Sequence, residues 1–194
     1  MLRIVLIRPG ATDYDREQRI QGTLDIPLSD EGDHEVAQLV GQLGGLGIEI
    51  VYAPNCQPAR QTAEVLARGL GVKCKRLEHM RNLDHGLWQG MAIDEVRQKQ
   101  PRVYKKWQEQ PENVCPPEGE MLGEADARVR SAMTRLLKKH REGTIAMIVP
   151  EPVASLVRRF INHTELGNLW KTAREHGHWE VLEVEPQKTT VSAG

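Results

Sequence analysis

Short apolar runs alternate with longer segments of helical periodicity along most of this chain. Four of the runs predict β-strands, at residues 2–7, 48–53, 72–77 and 144–149. Strands that are separated by helices pair in parallel, because a connection of that length returns the chain to the same end of the sheet. The pattern therefore predicts an α/β fold of three layers, in which a mostly parallel sheet is flanked by helices.

Capping residues and periodicity predict four helices between and after these strands. Ser29 is a good N-cap residue, and the apolar side chains after it recur at helical spacing. A second helix is expected to open at Pro58, a position in the first turn where proline is tolerated. Further helices are predicted from about 123 to 140 and from 152 to about 162, and the alternating run 179–184 is expected to form an edge strand.

Residues 92–121 interrupt this rhythm with four prolines, Tyr104, Trp107 and many charged side chains. We expect short helices and loops here, which would cover the carboxyl edge of the sheet. The whole chain, 1–194, is therefore interpreted as a single domain in which 92–121 forms an inserted cap.

Charge and cysteine content narrow the class of protein. The chain has 26 basic and 27 acidic residues, a net charge of −1, which argues against nucleic-acid binding. Its three cysteines are widely spaced without a CxxC pair, as expected of reduced thiols in the cytoplasm. The N-terminal apolar run is too short for a signal peptide, and no run is long enough for a membrane helix. We expect a cytoplasmic protein with no membrane or nucleic-acid partner and no cofactor.

Several stretches occur together in the order and spacing of one family. They are RPGAT at 8–12, QG at 21–22 followed by PLS at 27–29, VYAPNCQPARQTAEVLA at 51–67, MRNLDHGLWQG at 80–90, PPEGE at 116–120 and IAMIVPEPV at 145–153. Together they resemble the histidine phosphatase superfamily, whose fold is that of phosphoglycerate mutase. The resemblance covers residues 1 to about 160 and implies the same fold here.

The resemblance also implies which positions would carry the chemistry. In that family a neutral histidine attacks phosphorus, a second histidine and two arginines hold the phosphoryl oxygens, and a carboxylic acid protonates the leaving oxygen. Carried over by position, one arginine is kept as Arg8. The nucleophile is replaced by Pro9, the second arginine by Pro58, the acid by Asn82 and the second histidine by Pro150. None of these four replacements can attack, donate a proton or carry positive charge.

Some motif residues around the dismantled catalytic site are kept. Arg8, Thr12, Gln21 and Gly22 match the family and are the candidate ligand-binding residues. Glu151 stands where the family has a glycine, and its carboxylate is expected to repel a phosphate. The sequence thus favours a catalytically inactive pseudophosphatase that acts as a binding or regulatory module, with a small anion or a protein as its partner.

Other groups were weighed as replacements for the missing chemistry. His85 lies in a motif loop near the expected pocket, although a histidine in a loop is usually solvated. Cys56 could be an accessible thiol activated by nearby Arg60, or a buried and inert one. His176 and His178 would point to the same side if they lay on a strand, but no third metal ligand is evident, and we expect no metal site.

Two alternatives to the inactive binding module therefore remain open. One is a phosphoester hydrolase with relocated catalytic residues, such as His85 or Cys56. The other is a structural or assembly partner. The four tryptophans, Trp88, Trp107, Trp170 and Trp179, are interpreted as packing residues.

Overall fold

The computed structural model describes residues 1–164 and 176–185, and the strands in these parts form one sheet. The strands are β1 (Leu2–Ile7), β2 (Ile50–Ala53), β3 (Lys73–Arg76), β4 (Gly143–Ile148) and β5 (Trp179–Val184). They follow each other across the sheet in the order β3-β2-β4-β1-β5. The first four are parallel, and β5 pairs antiparallel with β1 at one edge. The expected α/β class and mostly parallel sheet are confirmed.

The four helices that the sequence predicted by position agree with the structure to within one or two residues. The helices of the described residues are α1 (Asp13–Arg16), α2 (Asp30–Leu43), α3 (Gln57–Leu70), α4 (Ile93–Lys99), α5 (Pro101–Glu109), α6 (Leu122–Lys139) and α7 (Val153–Asn162), with short 3-10 turns at Gly86–Trp88 and Pro111–Asn113. Ser29 caps α2 as expected, since its Oγ accepts a hydrogen bond of 3.2 Å from the N–H of Gly32. The short helix α1 was not expected, although Thr12 and Asp15 form a capping box at its start.

The sheet separates two apolar cores, which gives the three layers. Side chains of β1 alternate between them: Leu2, Ile4 and Leu6 pack against α6 and α7, whereas Val5 and Ile7 pack against α2 and α3. Near-continuous apolar strands are typical of a parallel sheet that is covered on both faces.

Two strands are shorter than the sequence pattern indicated. β2 begins at Ile50 rather than at residue 48, and β3 spans only Lys73–Arg76 instead of 72–77. β3 is fully exposed because it lies at the edge of the sheet, opposite β5. The apolar residues that suggested a longer strand, Val72 and Leu77, pack into the two cores at its ends.

A third, smaller core lies within and beneath the segment 92–121. It contains Ile20, Trp88, Val96, Trp107 and Val114, with the indole rings of Trp88 and Trp107 edge to face at 5.1 Å between ring centroids. The short helices α4 and α5 that were expected here are present. We propose that the segment is a cap attached to the single domain.

Candidate functional site

The carboxyl ends of β1, β2 and β4 meet at one edge of the sheet, as parallel pairing requires. A cavity of about 330 Å³ opens at this edge. All the positions singled out by the sequence as catalytic or ligand-binding line it. They are Arg8, Pro9, Thr12, Gln21, Gly22, Pro58, Asn82 and Pro150. The structure therefore brings together residues that lie up to 142 positions apart in the chain.

Pro9 and Pro58 fit this edge of the sheet while the backbone beside them keeps its hydrogen bonds. On either side of Pro9, the N–H of Arg8 donates to the carbonyl of His178 at 2.8 Å, and the N–H of Gly10 donates to Thr62 Oγ1 at 3.1 Å. The carbonyl of Pro9 itself accepts from the N–H of Gly177 at 3.0 Å. Pro58 is in the first turn of α3, where no intrahelical partner exists for an N–H. Proline at these positions is compatible with the fold.

Arg8 is buried in the cavity floor and is paired with carboxylates of the protein itself. Its side chain is 2% exposed, and Nη2 contacts Oε1 of Glu151, whose side chain is 4% exposed. The carboxylate of Glu180 on β5 lies 3.5 Å from Nη1. Both contacts are ion pairs defined by distance alone. Within the described residues, no guanidinium nitrogen of Arg8 makes an aligned hydrogen bond. The positive charge is therefore compensated before any ligand arrives.

Glu151 is itself fixed by several donors at the start of α7. Oε2 accepts from the N–H of Ser155 at 3.1 Å and from its hydroxyl at 2.8 Å. Oε1 accepts from Nη2 of Arg158 at 2.9 Å, and Arg158 also reaches Glu180 at 3.2 Å. The result is a closed network of two arginines and two glutamates. The carboxylate of Glu151 occupies the N-terminal turn of α7, and the N-terminal turn of a helix attracts anions.

The other candidate ligand-binding residues are engaged in local contacts. Both the N–H and the hydroxyl of Thr12 donate to Asp15 Oδ2 at 2.7 Å, and the hydroxyl also lies 3.2 Å from Gln21 Oε1. Gly22 has φ +56°, and a Cβ there would come within 2.1 Å of Gln89 Oε1. Gly22 thus has a steric reason to be glycine that does not involve a ligand.

His85 is buried, which corrects the expectation of a solvated loop histidine. It is 6% exposed, lines the cavity and meets the edge of Trp107 at 5.5 Å between ring centroids. Burial lowers the pKa of His85 from 6.5 to about 4, despite the opposing influence of Asp84 and Glu120. The ring is therefore neutral at pH 7, and its Nδ1 has no hydrogen-bond partner within the described residues.

Cys56 also lines the cavity, where its side chain is partly buried. Burial raises its pKa to about 11, and the nearby guanidinium of Arg60 lowers it by less than burial raises it. A thiol with that pKa is almost wholly protonated at neutral pH, so it is a poor nucleophile.

The His176–His178 pair does not lie on a strand, because β5 begins at Trp179. His176 lines the cavity and its Nδ1 is 2.6 Å from Glu35 Oε1, whereas His178 is exposed. The described residues contain no group of three or more histidine, cysteine, aspartate or glutamate side chains arranged to hold a metal ion.

Among the tryptophans, Trp88 and Trp107 are buried as expected. Trp179 donates from Nε1 to Gln42 at 2.8 Å. Trp170 lies outside the described residues. Trp107 does more than pack the core, because its ring also lines the cavity.

Arg128 holds the loop that carries Asn82, a role that the sequence did not reveal. Its Nη1 donates to the carbonyls of His79 and Arg81, and its Nη2 donates to the carbonyl of Asn82. The same guanidinium is paired with Glu120 at 2.6 Å and 2.9 Å. The motif at 116–120 and the residue at 128 thus act together to place one wall of the cavity.

Comparison with known proteins identifies the family. The model of the histidine phosphatase superfamily (branch 1) matches residues 4–193. The chain belongs to the histidine phosphatase superfamily. The three-layer architecture and the ring of positions around the cavity are those expected for a phosphoglycerate-mutase-like member.

Relatives of this superfamily member carry phosphatase and mutase names. Phosphoserine phosphatase 1 of Hydrogenobacter thermophilus is 22% identical over 191 residues, covering 98% of this chain and 90% of that protein. A Klebsiella pneumoniae relative named "Probable phosphoglycerate mutase GpmB" is 30% identical over 142 residues, which is 71% of this chain and 64% of the relative.

Solved structures resemble the whole described architecture. Bacillus stearothermophilus YhfR superposes with a TM-score of 0.85 at 24% identity, covering 95% of this chain and 92% of that chain. A mycobacterial glucosyl-3-phosphoglycerate phosphatase in complex with VO3 gives 0.83 at 21% identity, covering 93% and 90%. At these identities the likeness establishes the fold and no more.

None of the helices in residues 1–164 and 176–185 has the length and apolar character needed to cross a membrane.

Proposed function

We propose that this protein is a pseudophosphatase, a superfamily member that binds a ligand in its cavity and does not transfer phosphoryl groups. The observation that carries the proposal is the contact of Glu151 with Arg8. The one arginine kept from the family's phosphate-binding set already has an anion of the protein as its partner. Around it, the other four positions offer three pyrrolidine rings and one amide.

The expected loss of catalysis is large. Removing the nucleophile of a hydrolase costs about 10⁶-fold in rate, and removing one oxyanion donor costs roughly 10²–10³-fold. Such losses do not add, yet the first alone would bring turnover close to background. No side chain at Pro9, Pro58, Asn82 or Pro150 supplies a substitute nucleophile or cation.

A relocated hydrolase is the second candidate, and the burial of His85 is the observation that favours it. A neutral imidazole lining a cavity is a competent nucleophile in principle. Its Nδ1, however, has no carboxylate or carbonyl partner in the described parts of the chain to orient the ring and stabilise its charge. This favours the inactive protein over the relocated enzyme.

The test is a hydrolysis assay on phosphoserine and other phosphomonoesters, using the unaltered protein beside Arg8→Ala and His85→Phe. The pseudophosphatase predicts equal, background release of phosphate from all three. Release that disappears in either variant would overturn the proposal, and its loss in His85→Phe alone would establish the relocated hydrolase. Release that persists in both variants and co-purifies with the protein would also overturn the proposal, and its loss in Cys56→Ala would assign it to that thiol.

A gain-of-activity series provides the positive control. Pro9→His, Pro58→Arg, Asn82→Glu and Pro150→His together rebuild the family's set. With Glu151 retained, we expect the quadruple variant to stay near background, because the carboxylate still occupies Arg8 and repels the substrate. Adding Glu151→Gly should then raise turnover by at least about tenfold, the effect of about 1.4 kcal/mol of restored transition-state stabilisation. Equal activity in both would show that Glu151 does not block the site.

A further inference from the structure

The cavity contains no ionised side chain that lacks a polar or charged partner among the described residues. Arg8 is paired with Glu151, and Arg19 with Glu17 at 2.7 Å. The carboxylate of Asp15 accepts two hydrogen bonds from Thr12. An anionic ligand would therefore have to compete with Glu151 at the buried Arg8, or with Glu17 at the half-exposed Arg19, in order to gain a cation.

His85 and Cys56 do not supply charge of their own. The His85 ring is neutral and the Cys56 thiol is protonated near pH 7. The imidazole of His176 has the carboxylate of Glu35 as its partner, at 2.6 Å from Nδ1. The charged side chains of the cavity are thus paired with other groups of the protein.

The walls present aromatic and aliphatic side chains beside uncharged polar ones such as Gln18 and Asn82. Tyr104 and Trp107 of α5 lie edge to face at 6.0 Å between ring centroids. Apolar side chains extend this surface: Ile20, Leu24, Leu83, Ile93 and Leu122, together with Tyr14 and the rings of Pro9, Pro58, Pro111, Pro150 and Pro152. A volume of about 330 Å³ is within the roughly 300–1,000 Å³ range of small-molecule pockets.

One neutral side chain that lines the cavity is incompletely hydrogen-bonded. His85 is more than nine-tenths buried, lines the cavity and leaves Nδ1 without a hydrogen bond in the described residues. The guanidinium of Arg8 also lacks aligned hydrogen bonds there, but it faces the carboxylates of Glu151 and Glu180. Buried polar atoms are rarely unsatisfied unless a ligand or water completes them. We therefore expect a ligand that reaches the His85 ring to complete its hydrogen bonding.

We propose that the cavity binds a small uncharged aromatic molecule that packs against Tyr104 and Trp107 and hydrogen-bonds to Nδ1 of His85. This inference deepens the proposed function and rests on it. The favoured ligand resembles the free alcohol that a phosphomonoester contains, and lacks the phosphoryl group. The phosphoryl position is already taken by the carboxylate of Glu151.

The test is a binding screen with matched pairs of uncharged aromatic alcohols and their phosphate esters, such as benzyl alcohol and benzyl phosphate. Binding is read by ligand-observed NMR and by the rise in melting temperature when ligand is added. We expect alcohols to bind, and their phosphates to bind at least about tenfold more weakly. Absence of binding by every alcohol, or preference for the phosphates, would overturn the inference.

Two variants assign the recognition to named atoms. His85→Phe keeps an aromatic ring but removes Nδ1, and should weaken alcohol binding about three- to tenfold, the effect of one lost hydrogen bond. Glu151→Gln should narrow or reverse the preference for alcohol over phosphate, whereas Glu183→Gln, an exposed change on β5, should leave it unchanged. Unaltered selectivity in Glu151→Gln would refute the role given to the carboxylate.

The two proposals fail in different ways. Phosphate release that depends on Arg8 would refute the pseudophosphatase. Tight binding of phosphates without any release would leave the pseudophosphatase standing and refute only the uncharged ligand.

Discussion

Replacing Glu151 by glutamine removes one negative charge from the cavity floor. The amide has the shape of the carboxylate, and its oxygen can still accept the hydrogen bonds of 3.1 Å and 2.8 Å from Ser155. Its NH2 group then takes the place of Oε1, so the variant loses the charge that faces Arg8, whose side chain is 2% exposed, and the acceptor for Nη2 of Arg158. The expected effect therefore combines a lost charge with one lost hydrogen bond.

The magnitude follows from the surroundings of Arg8. Removing one partner of a buried ion pair costs about 3–5 kcal/mol in unfolding free energy. Glu180, at 3.5 Å, remains to compensate part of the charge, so we expect a loss of about 2–3 kcal/mol. For a chain of this size each kcal/mol lowers the melting temperature by about 2–4 °C, which gives a decrease of about 4–12 °C.

Thermal unfolding in two buffers is the assay. In Glu151→Gln the freed Arg8 should attract phosphate, so the melting temperature should rise with phosphate more than with chloride at equal ionic strength. The unaltered protein should respond equally to both salts. In an Arg8→Met background the cost of Glu151→Gln should be smaller, because the two residues are coupled. An unchanged melting temperature in the single variant, or additive losses in the double one, would refute the reasoning.

Three further predictions follow from contacts around the cavity. Unfolded chains protonate His85 below about pH 6.5, whereas the folded protein does so only near pH 4, so the free energy of unfolding should fall by about 3 kcal/mol as the pH decreases from 6.5 to 4. Chemical denaturation should show this fall in the unaltered protein and in the exposed variant His34→Gln. The same fall in His85→Phe would contradict the assignment to His85. Mass spectrometry after brief iodoacetamide treatment at pH 8 should find Cys56 the slowest of the three cysteines to be modified, because burial raises its pKa to about 11 while Cys74 and Cys115 are exposed; equal labelling would contradict its burial. In Arg128→Lys the lysine cannot contact three carbonyls and Glu120 together, so the free energy of unfolding should decrease by about 2–4 kcal/mol. A decrease below about 0.5 kcal/mol, the usual range of a surface change, would mean that the loop carrying Asn82 keeps its conformation without Arg128.

Local signals were enough to predict the layers and most of the helices. Ser29 was predicted as a cap from its type and position, and its side chain makes the expected hydrogen bond. The ends of the strands were less accurate. At β3 the pattern included Val72 and Leu77, whose burial comes from the helices around them and not from strand pairing. Tertiary packing, which has no local signature, decides such boundaries.

In the candidate site too, features with a local sequence signal were predicted, and contacts between residues far apart in the chain were missed. Motif order brought eight positions together correctly around one cavity. The sequence also indicated that Glu151 would oppose a phosphate. It gave no sign that Glu151 would contact Arg8, because that pairing depends on how β1 and the start of α7 meet across the sheet edge. The burial of His85 was missed for a similar reason, since Trp107 lies 22 positions away on another element.

The network around Arg8 gives this arginine a structural role that does not depend on catalysis. A guanidinium that is 2% exposed cannot be left without a counter-charge, so once Glu151 provides one, the two residues stabilise each other. Removing either then costs stability whether or not a ligand ever binds. The carboxylate also makes further contacts with Ser155 and Arg158, which tie this pair to α7 and, through Glu180, to β5. Arg8 is in this way part of the scaffold, and its presence in the motif does not by itself indicate a phosphate site.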